Sequence, residues 1–440
     1  MPRNVHETSP RGHIARVTSN QAARESLALA EAQLRSEAAA AERGLSPQTV
    51  IAVVGAGAMG STIATAAAAA GLEVVLIDRD PARLQAAGAD ISRWCASGAG
   101  RGTVEYTLDL ARLSRCDVVI ESIAEDAALK CELLMAVEGH VRPDTLIATN
   151  TSSLDIDQLA ASMRHRGRFL GTHFFLPAHR IPVLELVRGA DTTAKALLKA
   201  QAFAGRLSKL PVCVANAPGF VGNRLFDRLW QEAVLLVEEG ALPEDVDSAL
   251  ENWGLALGPF ATLDRIGLTL IDAVASRQQQ VVPAVPAPSL VSALIKLGRT
   301  GVAAQGGWFN YEPGSRRGSP SREVQQLAER WSREQGWTRR PIQADEIVTR
   351  PVLAVIEESR NLLARGTANR SGDIDVLFTR AYGFPSWTGG PLGLAAALGP
   401  KALQDDAAQF PRRRDARSTF TSHRPAAFKS DIAIQEEGRS

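Results

Sequence analysis

The chain has 440 residues, of which 45% are hydrophobic and 22% charged, and its net charge at neutral pH is +1. That length allows two or three domains with sizeable cores, and so even a charge balance gives no bulk electrostatic attraction to nucleic acid or to an acidic membrane surface. No apolar stretch reaches the roughly 20 residues that span a bilayer. Cys95, Cys116, Cys131 and Cys213 include no CxxC pair, so neither a metal site nor a disulfide framework is expected.

In chain order, Met1 to Asn20 shows no periodicity, and Met1 to Gln21 is polar with no apolar signal core, which predicts a disordered start and a cytoplasmic protein. Gln21 to Arg43 is rich in Ala, Glu, Leu and Arg, with Leu27, Leu29 and Leu34 interspersed, and predicts a helix with one modest apolar face. Residues 1–47 therefore read as a disordered N-terminus and a linker-like helix.

From Val50 an apolar run ends abruptly in Gly55, Gly57 and Gly60, and a small-residue helical pattern follows from Ser61 to Ala70. In a strand, glycine turn and helix, the first glycine permits the tight turn, the second lets backbone approach a pyrophosphate, and the third packs helix on strand. The helix N-terminus then offers free N–H groups to phosphate. Gly55, Gly57, Ala58, Met59 and Gly60 are thus candidate dinucleotide contacts. A second apolar run, Glu73 to Ile77, ends at Asp78, whose carboxylate could accept the ribose hydroxyls of an adenosine. An acid there favours NAD over NADP, while Arg79 beside it pulls the other way; the alternative reading of Asp78 is a strand-end turn former.

Alternation continues with a helix over 81–96, a strand Val118 to Glu121, a helix Leu129 to Val137, a strand Leu146 to Asn150, a helix Asp157 to Met163 and a strand Phe169 to Phe174. This spacing predicts a mostly parallel, doubly wound sheet over residues 48–215. Ligands of such sheets bind beyond the carboxyl ends of the strands, which here hold Gly55, Asp78, Glu121, Asn150 and His173. Twelve residues after His173, Glu185 lies inside the apolar run Pro182 to Val187 and needs a partner, since a lone buried charge is very costly. A Glu bonded to one ring nitrogen of His173 fixes its tautomer and raises the basicity of the other, which makes a general base for an alcohol hydroxyl. The alternatives are a structural histidine and a solvent-facing Glu on an edge strand. Asn150-Thr151-Ser152-Ser153 offers short donors to a substrate oxygen, or simply caps the next helix.

Composition shifts near Asn216. Ala217-Pro218-Gly219 reads as a turn, Phe220 to Glu239 as a long amphipathic helix closed by Gly240, and helical patterns run to about Val282, within a helical domain over 216–312. Asn223, an amide at the domain junction, could bind a substrate or staple the domains. Pro283 to Ser289 and Gly306 to Ser321 read as surface connections. Between Asp345 and Leu398, Gly366, Asp373, Asp375, Gly383 and Gly390-Pro391-Leu392 echo Gly240, Asp245, Asp247, Gly254 and Gly258-Pro259-Phe260, which predicts a duplicated helical module over 340–406. Residues 407–440 read as a disordered tail.

Taken together, GAGAMG, the acid at Asp78, NTSSL, GTHFF-P, PVLELV, APGFVGNR and the GPF segment make the chain resemble the L-3-hydroxyacyl-CoA dehydrogenase family, in particular the dehydrogenase portion of bacterial multifunctional fatty-acid oxidation proteins. The resemblance runs from about Val50 to Leu398. It implies a Rossmann-type NAD-binding α/β domain followed by all-α helical domains, and NAD-dependent oxidation of an L-3-hydroxyacyl-CoA to its 3-oxo form in fatty-acid metabolism. It implies His173 as base, Glu185 as its partner, Ser152 and Asn223 as substrate contacts, and Glu125 near the nicotinamide end of the cofactor, beside Asn150. The family's helical domains often dimerise, which admits a homodimer; a duplicated module could instead satisfy that surface within one chain.

Three departures qualify the likeness. Leu176 stands where the family usually has Asn. The lysine-rich excursion associated with CoA contacts is reduced to Gly98-Ala99-Gly100-Arg101-Gly102, with Arg83, Arg93 and Arg101 as substitutes or as solvated surface residues. No counterpart of the hydratase half of the large proteins is read in the sequence, so a stand-alone dehydrogenase is expected. The shortened CoA region leaves open a dehydrogenase of a carrier-protein-bound or free hydroxy acid, and a non-catalytic NAD-binding relative is the reading from another class.

Overall fold

The computed structural model describes residues 12–410 except 43, 47, 96–101, 282–288 and 316. Two helices come first, α1 (His13–Arg16) and α2 (Gln21–Glu42). The region expected to be irregular up to Asn20 therefore contains a short helix, held because buried Asp406 accepts from the backbone N–H groups of His13 (2.7 Å) and Ile14 (2.9 Å). In α2, Leu27 and Leu34 are buried as the pattern predicted, while Leu29 lies on the opposite face and is exposed.

The α/β region runs β1 (Val50–Val54), α3 (Ala58–Ala69), β2 (Glu73–Ile77), α4 (Pro81–Cys95), β3 (Val104–Thr107), β4 (Val118–Glu121), α5 (Ala127–His140), β5 (Leu146–Thr149), α6 (Ile156–Ala160), β6 (Phe169–His173), β7 (Val183–Arg188), α7 (Ala194–Arg206) and β8 (Leu210–Ala215). The strands form one sheet in the order β3-β2-β1-β4-β5-β6-β7-β8. All neighbours are parallel except β6 and β7. A parallel neighbour needs a crossover of roughly a dozen residues or more, and the short link from Phe174 to Pro182 cannot supply one, so β7 turns back beside β6. Val50, Ala52 and Val54 of β1 pack into the core on one face of the sheet, and Ile51 and Val53 into the core on the other. Strand order reverses between β1 and β4, the place where an open α/β sheet leaves a crevice at its carboxyl edge.

The helical region follows as α8 (Gly222–Glu239), α9 (Pro243–Trp253), α10 (Pro259–Ile266), α11 (Leu268–Val281), α12 (Ser289–Lys296), α13 (Arg322–Glu334), α14 (Ala344–Ala364), α15 (Ser371–Tyr382) and α16 (Pro391–Gln409). The spacing echo has a structural counterpart. Asp247 of α9 accepts from the N–H groups of Phe260 (3.0 Å) and Ala261 (2.9 Å) at the start of α10. Asp375 of α15 accepts likewise from Leu392 (2.7 Å) and Gly393 (3.2 Å) at the start of α16. A Cβ on Gly258 or Gly390 would lie 2.1 and 2.4 Å from these same aspartates, so each carboxylate can reach its helix end only past a glycine. The stretch Gly306 to Ser321, expected as a surface connection, instead buries Trp308, Phe309 and Tyr311. Asp264 draws it in, accepting from the Trp308 and Phe309 N–H groups and the Tyr311 hydroxyl at 2.8 to 3.0 Å.

Candidate active site

At the carboxyl edge of β1, β2, β4 and β5 lies a cleft of about 720 Å3 whose lining includes Gly55, Gly57, Ala58, Met59, Asp78 and Asn150. The glycine turn is built as its sequence requires. Gly55 has φ +114°, and a Cβ there would meet the Ser122 carbonyl oxygen at 2.4 Å; a Cβ on Gly60 would meet the Gly55 carbonyl oxygen at 1.8 Å. Gly60 thus seats α3 on the turn and does not line the cleft. A Cβ on Gly57 would meet nothing within 4 Å, so this backbone is open to an approaching group, at the N-terminus of α3 where phosphate is favoured. Asp78, 7% exposed, accepts from the Ala56 N–H at 2.7 Å and the Asp80 N–H at 2.9 Å, which holds it at the cleft wall with acceptor capacity to spare. Arg79 and Arg83 line the same cleft. Arg93 pairs with Asp90, and Arg101 lies outside the described residues.

A second constellation forms where β6 and β7 meet α8. Antiparallel pairing sets His173 directly opposite Glu185, and His173 Nδ1 lies 2.8 Å from Glu185 Oε2. The other carboxylate oxygen accepts from the backbone N–H groups of Val221 (2.7 Å) and Gly222 (3.2 Å) at the start of α8. A carboxylate with no solvent exposure is thus held by a ring, two amides and the positive end of an 18-residue helix. His173 is 6% exposed, with Phe175 at 4.5 Å and Phe220 at 5.8 Å between ring centroids. Phe220 sits at φ +50°, a conformation uncommon outside glycine, and brings its ring to the histidine.

Asn223, one residue beyond Gly222, donates from Nδ2 to the Ser152 carbonyl at 2.9 Å. Glu125 gathers the NTSS turn: its Oε1 accepts from Thr151 Oγ1 (2.6 Å), the Ser152 N–H (2.9 Å), the Ser153 N–H (3.1 Å) and Ser153 Oγ (3.0 Å). Burial alone would raise the pKa of Glu125, but the Lys130 charge and these hydrogen bonds outweigh it and hold it below the usual carboxylate value. Asn150 accepts from the Phe174 N–H at 3.0 Å and also lines the cleft, so it joins the two parts of the site. Glu125 faces the NTSS turn and is not among the residues lining the cleft. The sequence expectations omitted Lys130, which is 1% exposed and donates to Glu121 at 2.7 Å, with Glu125 at 3.5 Å. Its signal was a lysine one turn into a helix that follows the strand-end acid Glu121. They also omitted Tyr382, which is far downstream and donates its hydroxyl to Asn223 Oδ1 at 2.7 Å.

Residues 50–217 match the family described as 3-hydroxyacyl-CoA dehydrogenase, NAD binding domain, and residues 219–311 match its C-terminal domain. The chain belongs to the 3-hydroxyacyl-CoA dehydrogenase family. Among its relatives is the peroxisomal bifunctional enzyme of Danio rerio, 33% identical over 79% of this chain and 51% of that protein. The chain spans about half the length of the curated relatives it matches. Among solved structures, (S)-3-hydroxybutyryl-CoA dehydrogenase PaaH1 from Ralstonia eutropha is 31% identical, covers 60% of this chain and 99% of its own, and has a TM-score of 0.56. A 3-hydroxybutyryl-CoA dehydrogenase from Escherichia coli shares the fold over 83% of this chain and 94% of its own, with a TM-score of 0.68 at 24% identity. The cleft, the open Gly57 and the Asp78 carboxylate fit the NAD that the first family domain binds. No helix among the described residues is long and apolar enough to cross a membrane, and no cluster of His, Cys, Asp and Glu among them could hold a metal ion.

Proposed function

We propose that the protein oxidises L-3-hydroxyacyl-CoA esters to 3-oxoacyl-CoA esters with NAD, and catalyses the reverse reduction. The observation that carries this reading is the His173–Glu185 pair set at the carboxyl edge of a dinucleotide-binding sheet. With Nδ1 turned to the carboxylate, Nδ1 carries the ring proton and Nε2 keeps a lone pair. His173 Nε2 takes the proton of the substrate 3-hydroxyl, and Glu185 stabilises the imidazolium that results. When bound, NAD supplies the acceptor for the hydride that leaves C3. Ser152 and Asn223 hold the substrate oxygens, and the surrounding Phe175 and Phe220 keep water from the ring. Gly55, Gly57, Ala58, Met59, Asp78 and Asn150 hold the dinucleotide, with Glu125 and Lys130 toward its nicotinamide end.

The same reading divides the chain into an NAD-binding domain over 48–215, a helical domain over 216–312 and a second helical module over 340–406, supported by the matched ranges and by the paired aspartate caps. Because α14 packs along α8, the module covers within one chain a helix face that would otherwise ask for a second copy. A reducing compartment such as the cytoplasm suits the free thiols of Cys116, Cys131 and Cys213.

The test is NADH formation over a panel of 3-hydroxyacyl-CoA esters of increasing chain length, with free 3-hydroxy acids alongside. Turnover of the esters is expected, and His173→Gln should lower kcat roughly 100-fold or more while leaving NAD affinity unchanged. Turnover confined to free acids, or an unimpaired His173→Gln enzyme, would overturn the reading.

A further inference from the structure

A polar side chain of the second helical module reaches the site. Tyr382 ends α15 and donates to Asn223 Oδ1 at 2.7 Å, while Asn223 Nδ2 donates to the Ser152 carbonyl at 2.9 Å. A carbonyl can only accept, so it fixes the amide nitrogen on its own side and leaves Oδ1 facing the phenol. The amide then has a single orientation, with one Nδ2 hydrogen and one Oδ1 lone pair left for a ligand. The phenol itself is immobilised: its ring stacks on Phe226 at 4.9 Å and 11°, and lies 5.6 Å from Phe175, the residue against His173. Burial, with the charges of Asp227 and Glu185, raises its pKa, so it stays a donor wherever the enzyme works.

The contact has a counterpart in the other module. Counted from the glycines that close α9 and α15, Gly254 and Gly383, Trp253 occupies the place of Tyr382, and its indole N–H goes to the Ile14 carbonyl at 3.2 Å. Each module thus sends the end of its second helix out to a different neighbour, and of the two only the second module's reaches the candidate active site.

We propose that Tyr382 is a positioning residue for the reaction: its hydroxyl orients the Asn223 amide, so the substrate contact of the first helical module is completed by the second. This rests on the 3-hydroxyacyl-CoA reading above. Asn223 touches substrate; Tyr382 acts through it. The part of the chain beyond residue 311 is then needed for turnover as well as for packing.

The experiment is a double-mutant cycle on the full chain, with NADH formation from the best ester as readout. Tyr382→Phe keeps the stacked ring and removes one hydrogen bond, and should lower kcat roughly three- to tenfold with KM and NAD affinity within about twofold. Asn223→Ala should lower it further, and adding Tyr382→Phe to that background should change kcat by less than about twofold. Phe378→Leu, which loosens packing on the same ring, should lower the melting temperature yet leave kcat within about twofold and remain additive with Asn223→Ala. Wild-type kcat in Tyr382→Phe, or its full loss repeated in the Asn223→Ala background, would overturn the proposal. An active enzyme crippled by Asn223→Ala but not by Tyr382→Phe removes only this inference. A wild type that turns over none of the esters removes the functional reading and this inference together.

Discussion

At the scale of the residue, the site depends on how a buried charge is satisfied. Glu185 sits between Leu184 and Leu186 in a strand buried along all but its last residue, where an unpaired carboxylate would be untenable. His173 accounts for one oxygen and the start of α8 for the other. Glu185→Gln keeps the shape but removes the charge, and its amide would face Nδ1 as a donor and drive the ring to the opposite tautomer. We expect kcat to fall roughly 100-fold or more while NAD affinity holds, measured by NADH formation and by titration of NAD. Activity within a few-fold of wild type would show that the pair is structural. This contact was legible in the sequence because a histidine and a glutamate twelve residues apart, each in an apolar run, have few other ways to be satisfied. Leu176 shows the converse. The departure from the family's usual Asn was plain in the sequence, and the structure leaves that side chain 57% exposed, making no hydrogen bond.

Among the elements, the repeated device is an aspartate that caps the start of the next helix. Burial pushes Asp375 up to about 7 and Asp247 up to about 8, although the N–H groups they accept from pull the other way. The unfolded chain releases these protons near pH 4. Between that pH and the raised values the folded state therefore holds more protons than the unfolded state, and stability falls as pH rises through the window. Asparagine can accept from the same backbone but does not titrate. Urea unfolding at about pH 5 and about pH 8 should show a smaller loss of stability for Asp375→Asn than for wild type; equal losses would mean that Asp375 is ionised throughout. The sequence showed these acids in the same order as, and at similar distances from, the glycines around them. It did not show that Gly258 and Gly390 are required because a Cβ would collide with the aspartates, since that is a contact between segments.

For the whole molecule, the two helical sets meet along α8 and α14, and the charges that cross between them are reciprocal. Counted back from Gly240 and Gly366, Arg224 matches Arg350 and Glu232 matches Glu358. Arg224 pairs with Glu358, and Arg350 pairs with Glu232 at 2.8 Å, as in an isologous interface formed inside one chain. Arg350 has no solvent exposure and also holds Glu239 at 2.7 Å and Glu346 at 3.1 Å. Arg350→Ala would leave these carboxylates facing a cavity, and we expect it to cost about 3–5 kcal/mol in urea unfolding; a loss below about 1 kcal/mol would mean the crossing is hydrated and weak. By itself the sequence determined the strand–helix alternation, the glycine turn with its acid, the His173 and Glu185 pair and the echo of one helical set in another. These are set by local periodicity and by the intolerance of buried backbone and charge for the wrong neighbour. Only the tertiary structure decided that α1 docks on α16, that Lys130 joins Glu125 under the NTSS turn, and that Tyr382 closes on Asn223. Those contacts join segments between which the sequence carries no period, and they come about only when helices and sheet pack to exclude water.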